Sequence, residues 1–88
     1  MGKILIIFKL LPEGPEEVEK VEAGIKEKLE GIAEVKEIRK EPIGFGLSAI
    51  KVAVVIPDKV DGLNDKVEGK LREIPGVSQV EAEATTLI

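Results

Sequence analysis

The stretch Ile4-Leu5-Ile6-Ile7-Phe8-Lys9-Leu10 is apolar at every position except Lys9. A strand with one face in solvent alternates apolar and polar residues, whereas a strand in the middle of a sheet is apolar at both parities. Pro12 ends the apolar run, because proline cannot donate a hydrogen bond to a β-ladder. The stretch therefore predicts a central β-strand as the first element of the chain.

A helix is predicted after this strand. Glu13-Gly14 forms a turn signal, and the proline and two carboxylates of Pro15-Glu16-Glu17 are typical of a first helical turn. Gly31 suits the end of the helix, since glycine is common just past the last turn. The apolar residues recur at spacings of three and four and give the helix one apolar face: Val18, Val21, Ile25, Leu29 and Ile32.

The next two segments predict one edge strand and one central strand. Residues 34–41 contain only two large apolar residues, Val35 and Ile38, among alternating charges. Such charges protect an edge strand against pairing with other chains. In residues 50–56, one face is apolar throughout (Ile50, Val52, Val54 and Ile56) and Ala53 and Val55 are apolar on the other, which again indicates a central strand.

A short amphipathic helix and a last strand complete the pattern. The helix is marked by Leu63, Val67, Leu71 and Ile74, and Pro75-Gly76 breaks it. The final segment predicts a half-buried strand that runs to the last residue. In this alternation, one face of the strand carries Val80, Ala82, Ala84, Thr86 and Ile88, and the other face carries Glu81, Glu83, Thr85 and Leu87.

The resulting order is β-α-β-β-α-β, which predicts an α+β fold. Two split βαβ units make a ferredoxin-like βαββαβ sandwich: a four-stranded antiparallel sheet with two helices on one face. The first and third strands are expected in its centre. At 88 residues, the chain is expected to be a single domain, 1–88. The other sheet face would be open and partly apolar, which makes it a candidate contact surface.

Composition excludes several classes of function. The chain has no Cys and no His, so thiol or imidazole catalysis and zinc sites of the Cys/His type are excluded. Its net charge of −4 and its two aromatic residues do not suit direct nucleic-acid binding and better suit a basic protein partner. A membrane span would need about eighteen consecutive apolar residues, and none exists. We expect a cytoplasmic protein.

No motif in the sequence predicts a catalytic site, a metal site or a cofactor. The carboxylate pairs, Glu16 with Glu17 and Glu81 with Glu83, are adjacent or alternating on exposed segments and are interpreted as solvated. Residues 11–15 hold two prolines and a glutamate where a phosphate cradle needs free N–H groups and a cation. Gly44-Phe45-Gly46 precedes a strand and lacks the third glycine of a dinucleotide fingerprint.

Gly44-Phe45-Gly46 nevertheless places one of the two aromatic rings between two glycines. Flanking glycines remove neighbouring side chains and allow positive φ, so the ring could be held out from the surface. Burying a phenylalanine is worth roughly 1.5–3 kcal/mol, so the ring could equally fold back as a lid. The residues alone leave both alternatives open.

The run Pro42-Ile43-Gly44-Phe45-Gly46-Leu47 resembles the exchange domain of translation elongation factor 1-beta. An apolar strand that ends near Asp58 and a chain that stops on its last strand add to this resemblance. The length and the start at Met1 are similar to the archaeal form of the family. The resemblance covers essentially the whole chain and implies the same ferredoxin-like fold.

The resemblance implies a guanine-nucleotide exchange factor for the GTPase elongation factor 1-alpha, with no catalytic site of its own. It further implies that Phe45 inserts near the switch region and that the carboxyl-terminal tip approaches the magnesium and phosphate site. The partner-binding residues so implied are Pro42, Ile43, Gly44, Phe45, Gly46, Thr86, Leu87 and Ile88.

Position 87 departs from the family pattern, in which the residue next to last is usually basic. A cation there could compete with magnesium for anionic ligands, whereas Leu87 cannot. The hypothesis is that direct electrostatic displacement of magnesium is weak or absent in this chain. As an alternative, Leu87 could simply pack against a neighbouring loop.

A rival interpretation is a ferredoxin-like regulatory or assembly module that binds a partner or a small ligand through its open sheet face. A third interpretation is a designed version of the fold that lacks exchange activity. The exchange-factor interpretation is preferred, with a protein that is monomeric when free.

Overall fold

The computed structural model describes residues 2–44, 46–57 and 62–88. Four strands and two helices follow in the predicted order: β1 Lys3–Pro12, α1 Val18–Leu29, β2 Glu34–Gly44, β3 Leu47–Pro57, α2 Leu63–Arg72 and β4 Val77–Leu87. A single 3-10 turn, Pro15–Glu17, precedes α1. Gly31 follows α1 with φ of 78°, a left-handed conformation that glycine adopts readily.

The sheet has the order β2-β3-β1-β4, and every neighbouring pair is antiparallel. The prediction that the first and third strands are central is confirmed. The charged second strand lies at one edge, also as predicted, and β4 forms the other edge. The architecture is the ferredoxin-like α+β sandwich expected from the sequence.

The core lies between the sheet and the two helices. Phe8 is 1% exposed, and it packs with the apolar faces of both helices and with alternate residues of β1 and β3. Helix α1 packs closely against the segment that follows α2, where Gly24 faces Ile74: a Cβ on Gly24 would lie 2.5 Å from the Ile74 Cγ2. The absence of a side chain at Gly24 therefore permits this packing.

The prediction for the last strand is wrong in one respect. Val80 is buried, but the other residues of β4 are exposed or half-buried, so the strand is not half-buried along its length. A bulge causes part of the difference: Phe8 pairs with Ala82 and Ile7 pairs with Ala84, which leaves Glu83 as an extra residue. A bulge interrupts the two-residue alternation of faces.

The bulge also moves Leu87 to the other face of the sheet. Leu87 pairs with Ile4, whose side chain belongs to the helix-covered face, so Leu87 lies on that face rather than beside Glu81. Directly paired residues of antiparallel strands point to the same side of the sheet. The sequence-based assignment of Leu87 to the face of Glu81 and Glu83 is corrected accordingly.

Candidate functional site

The β2–β3 hairpin carries the glycine-rich run. Pro42 pairs with Ser48 and Gly44 pairs with Leu47, with an irregularity in the register between the two pairs. Gly44 has φ of 105° and Gly46 has φ of 75°. A Cβ at either glycine would meet no atom within 4 Å, so space does not demand glycine at these positions. The left-handed backbone demands it.

Phe45 lies outside the described residues. Its predicted presentation as an exposed aromatic ring therefore stays a prediction. The residues on its amino-terminal side are described: Pro42, Ile43 and Gly44 are exposed in the edge strand β2, and the side chain of Ile43 is 42% exposed. The predicted hairpin residues before Phe45 thus lie on an accessible surface.

The carboxyl-terminal residues lie beside the beginning of β1. The Ile88 amide donates to the Lys3 carbonyl at 2.8 Å, and the Lys3 amide donates to the Ile88 carbonyl at 3.2 Å. These two bonds fix the backbone of the last residue. Leu87 is nevertheless 70% exposed and Ile88 is 59% exposed. Thr86, which pairs with Leu5, is exposed on the open face.

The structure does not bring the two predicted groups of site residues together. Leu47 begins β3 and Pro57 ends it, ten positions later. Pro57 pairs with Lys3, which in turn pairs with Ile88. At roughly 3.3 Å per residue, the hairpin end and the carboxyl-terminal end of the sheet are about 33 Å apart. No single small pocket can contain both.

Exposed apolar side chains mark both ends. Within residues 2–44, 46–57 and 62–88, the large hydrophobic residues that are exposed are Ile43, Leu87 and Ile88. Ile43 lies beside the glycine turn, and the other two end the chain. Leu87 and Ile88 lie on opposite faces of the sheet, so the three are separate exposed side chains rather than one apolar patch, and they make the two ends candidate contact sites.

The open face of the sheet carries an ion-pair cluster around Lys51, which the sequence reasoning missed. The Lys51 Nζ lies 2.9 Å from the Glu41 Oε2 on β2 and 3.2 Å from the Glu83 Oε1 on β4. The hydrogen bond from Lys51 lowers the pKa of Glu41 below its ordinary value of 4.5. Hydrogen bonds to Glu41 and Glu83 raise the pKa of Lys51 above 10.5. The sequence feature that could have revealed this cluster is Lys51 itself, the one charged residue of β3.

The same face contains a shallow depression of about 220 Å³ next to this cluster. Its floor is apolar, and the charged groups around it are already engaged: Arg39 pairs with Glu37 at 3.1 Å, and Lys51 pairs with Glu83. A small charged ligand would have to compete with these pairs. The depression therefore gives little support to the rival interpretation as a ligand-binding module.

Two further classes of site are absent from the part of the chain that the structure describes. No group of three or more carboxylates there could hold a metal ion. No helix there is long and apolar enough to cross a membrane.

Comparison with known proteins gives consistent matches over almost the whole chain. The model of the EF-1 guanine nucleotide exchange domain family matches residues 5–88. Elongation factor 1-beta of Methanocorpusculum labreanum is 45% identical over 85 residues, which cover 96% of this chain and 94% of that protein. Elongation factor 1-beta of Methanospirillum hungatei is 46% identical over 89 residues, with all of both chains covered.

Among solved structures, the C-terminal domain of the MgtC protein from Mycobacterium tuberculosis is similar, with a TM-score of 0.69. The similarity covers 92% of this chain and 86% of that one at 17% sequence identity. At this identity the likeness supports the fold and nothing further.

Proposed function

This chain belongs to the family of EF-1 guanine nucleotide exchange domains, and from this membership we propose that it promotes release of GDP from elongation factor 1-alpha. The family role is that of an exchange factor, so the chemistry belongs to the GTPase partner. We propose that the two ends of the sheet make the contact, and that the protein works as a free monomer in the cytoplasm, where translation takes place.

One observation carries the choice of contact surface: the exposed large hydrophobic residues of the described chain lie at the two ends of the sheet. Ile43 adjoins the glycine turn with Phe45, and Leu87 and Ile88 form the other end. Residues of both ends belong to the set that the sequence resemblance implies. The same two ends are therefore indicated by exposure and by the resemblance.

The proposed mechanism is thermodynamic linkage rather than bond chemistry. An exchange factor that binds the empty GTPase more tightly than the GDP-bound form must, by the same factor, weaken the binding of GDP to the complex. A coupling of 1–3 kcal/mol, a typical range, would change GDP affinity by about 5- to 150-fold. The exchange factor needs only contact surfaces that distinguish the two states of the GTPase.

The length of the sheet divides the contact into two parts. Because the two ends are about 33 Å apart, only one of them can enter the magnesium and phosphate site. We assign the carboxyl-terminal end to that site, as the resemblance implies. We assign the hairpin with Phe45 to a second surface of the GTPase. Leu87 brings no charge to the phosphate site, so direct displacement of magnesium by position 87 is expected to be weak.

The test measures release of fluorescent GDP from elongation factor 1-alpha with the wild type, Phe45→Ala and Leu87→Lys. We expect Phe45→Ala to slow stimulated release by about tenfold or more, since a seated aromatic side chain contributes roughly 1.5–3 kcal/mol. We expect Leu87→Lys to accelerate release. Circular dichroism of each variant checks the fold. Stimulated release that is unchanged by Phe45→Ala would contradict the role of the hairpin.

A second measurement tests whether binding is linked to nucleotide. The protein is used to capture elongation factor 1-alpha with and without excess GDP. Loss of capture in the presence of GDP is the expected result, because linkage is reciprocal. Capture that is indifferent to GDP would indicate tethering and would contradict exchange.

A further inference from the structure

A groove of about 370 Å³ opens at the carboxyl-terminal end of the sheet. It lies between the turn at residues 31–33 and the end of β3 at residues 55–57, with Lys3 and Glu34 at its margins. Its cause is a difference in strand length. The β2 ladder begins at the pair of Glu34 with Val55, so Ile56 and Pro57 have no β2 neighbour.

The lining of this end groove is mostly apolar, since Ile32, Ala33, Val55 and Ile56 contribute to it. Ile32 and Ala33 are only half-buried, and they pack against the core from its edge. An apolar concavity of this kind is filled favourably by an apolar side chain, because each buried CH₂ contributes about 0.8 kcal/mol.

The charges at the margin of the end groove are not equivalent. Glu34 forms an ion pair with Lys36, and the hydrogen bond from Lys36 lowers the pKa of Glu34 below 4.5, with a smaller contribution from the charge of Lys3. Lys3 is exposed and forms no ion pair within residues 2–44, 46–57 and 62–88; Asp58 lies outside these ranges. The described margin therefore presents a cation to the outside.

The end groove is continuous with the carboxyl-terminal contact. Lys3 exchanges two backbone hydrogen bonds with Ile88, and both residues lie on the open face of the sheet. Leu87 and Ile88 follow on the far side of Lys3, along β4, and both are exposed. A partner that covers the last two residues consequently reaches Lys3 and the mouth of the groove.

We propose that the end groove seats an apolar side chain of the GTPase and that Lys3 pairs with a neighbouring carboxylate of the same protein. The proposal rests on the proposed function and names further contacts for its carboxyl-terminal end. The anion is assigned to the GTPase itself rather than to nucleotide phosphate. An exchange factor binds the empty GTPase most tightly, and that state contains no phosphate.

The first arm of the test concerns Lys3. Affinity for the nucleotide-free GTPase is measured at low and high salt for the wild type, Lys3→Met and the matched control Lys9→Met. Both lysines lie on the open face of β1, about 20 Å apart. We expect Lys3→Met to weaken binding roughly three- to fivefold and to reduce its salt dependence, with Lys9→Met unchanged.

The second arm concerns the groove. Ala33→Leu narrows it, and Ala23→Leu, at an exposed position of α1, is the matched control for added volume. We expect Ala33→Leu to weaken binding about tenfold while Ala23→Leu binds as the wild type does. Thermal unfolding shows whether each variant is folded. If Ala33→Leu does not fold, the Lys3→Met measurement decides the proposal, because Lys3 is exposed and its substitution should leave the fold intact.

The outcomes are distinct. Equal effects of Lys3→Met and Lys9→Met, or wild-type binding by folded Ala33→Leu, would overturn the inference while leaving the exchange function intact. A concentration-dependent dimer that Ala33→Leu abolishes would also overturn it, because the occupant would then be a second copy of the chain. Failure of the wild type to bind the GTPase would instead overturn the proposed function.

Discussion

Two helical glycines, Gly24 in α1 and Gly69 in α2, have opposite surroundings. A Cβ on Gly24 would lie 2.5 Å from the Cγ2 of Ile74, a residue that is 3% exposed. A Cβ on Gly69 would meet no atom within 4 Å. Glycine in a helix costs roughly 0.5–1 kcal/mol relative to alanine, so it is retained at Gly24 for packing, whereas no contact requires it at Gly69.

We therefore expect Gly69→Ala to raise the free energy of unfolding by about 0.5–1 kcal/mol. Gly24→Ala is expected to lower it by about 1 kcal/mol, because the displacement of Ile74 outweighs the gain in helix propensity. In a domain of this size, 1 kcal/mol moves the melting temperature by roughly 4–8 °C, which calorimetry resolves. A stabilised Gly24→Ala variant would show that Ile74 can be displaced without cost.

At the scale of elements, Lys51 connects the two edge strands across the open face. It lies on β3, yet it pairs with Glu41 on β2 and with Glu83 on β4. Glu41 directly precedes Pro42, and Glu83 is the bulge residue before the carboxyl-terminal end. The ion pairs therefore link both edge strands to β3 near the segments that carry the proposed contacts.

The stability contribution of this cluster should depend on pH in a defined way. Since the pKa of Glu41 is lowered by folding, its contribution is present above pH 4.5 and is lost as pH falls through the lowered value. Since the pKa of Lys51 is raised, its contribution is present below pH 10.5 and is lost as pH rises through the raised value.

We expect Lys51→Met to melt at a slightly lower temperature than the wild type at pH 7. The difference should shrink on acidification below pH 4.5 and on alkalinisation above pH 10.5. The effect should be modest and weaker in salt, because the side chain of Lys51 is one-third exposed. Lys20→Met, on an exposed position of α1, is the control. A pH-independent difference would indicate lost packing rather than lost ion pairs.

The helices and strands were largely predictable from the sequence. The strand register was not, and β4 shows the reason. Strands apolar at both parities could be assigned to the centre of the sheet, and the charged strand could be assigned to an edge. The bulge at Glu83 leaves no sequence signal, because Glu83 continues the alternation with Glu81. Only the register against β1 shows that Leu87 lies on the helix-covered face.

At the scale of the whole molecule, the fold separates the two proposed contacts. The protein measures 43 × 20 × 17 Å, and a strand of 11 residues, about 36 Å long, fits only along the longest of these dimensions. This separation was predictable, since β3 and β4 run in the same direction in the predicted topology and the hairpin precedes β3. The sequence-based expectation placed Phe45 near the switch region and the carboxyl-terminal tip at the magnesium and phosphate site, without a distance between them. The exposure of Leu87 and Ile88 could not be predicted from the sequence and is seen only in the structure.

Two separate contacts should contribute independently to binding. We expect the effects of Ile43→Ala and Leu87→Ala on the affinity for the nucleotide-free GTPase to be additive in free energy, within about 0.5 kcal/mol, in a double-mutant cycle. Both side chains are exposed, so neither change should affect the fold. A larger coupling energy would indicate that the two residues share one contact or act through a common rearrangement.

The hydrogen bonds between Lys3 and Ile88 have a practical consequence for handling this protein. They bring Lys3 and Ile88 side by side at the surface assigned to the GTPase. An affinity tag or fluorophore attached next to Lys3 or Ile88 would therefore sit over that surface and would obstruct capture without any defect in the protein. An untagged chain, or one labelled through a cysteine introduced at Lys20 on the outer side of α1, avoids this obstruction.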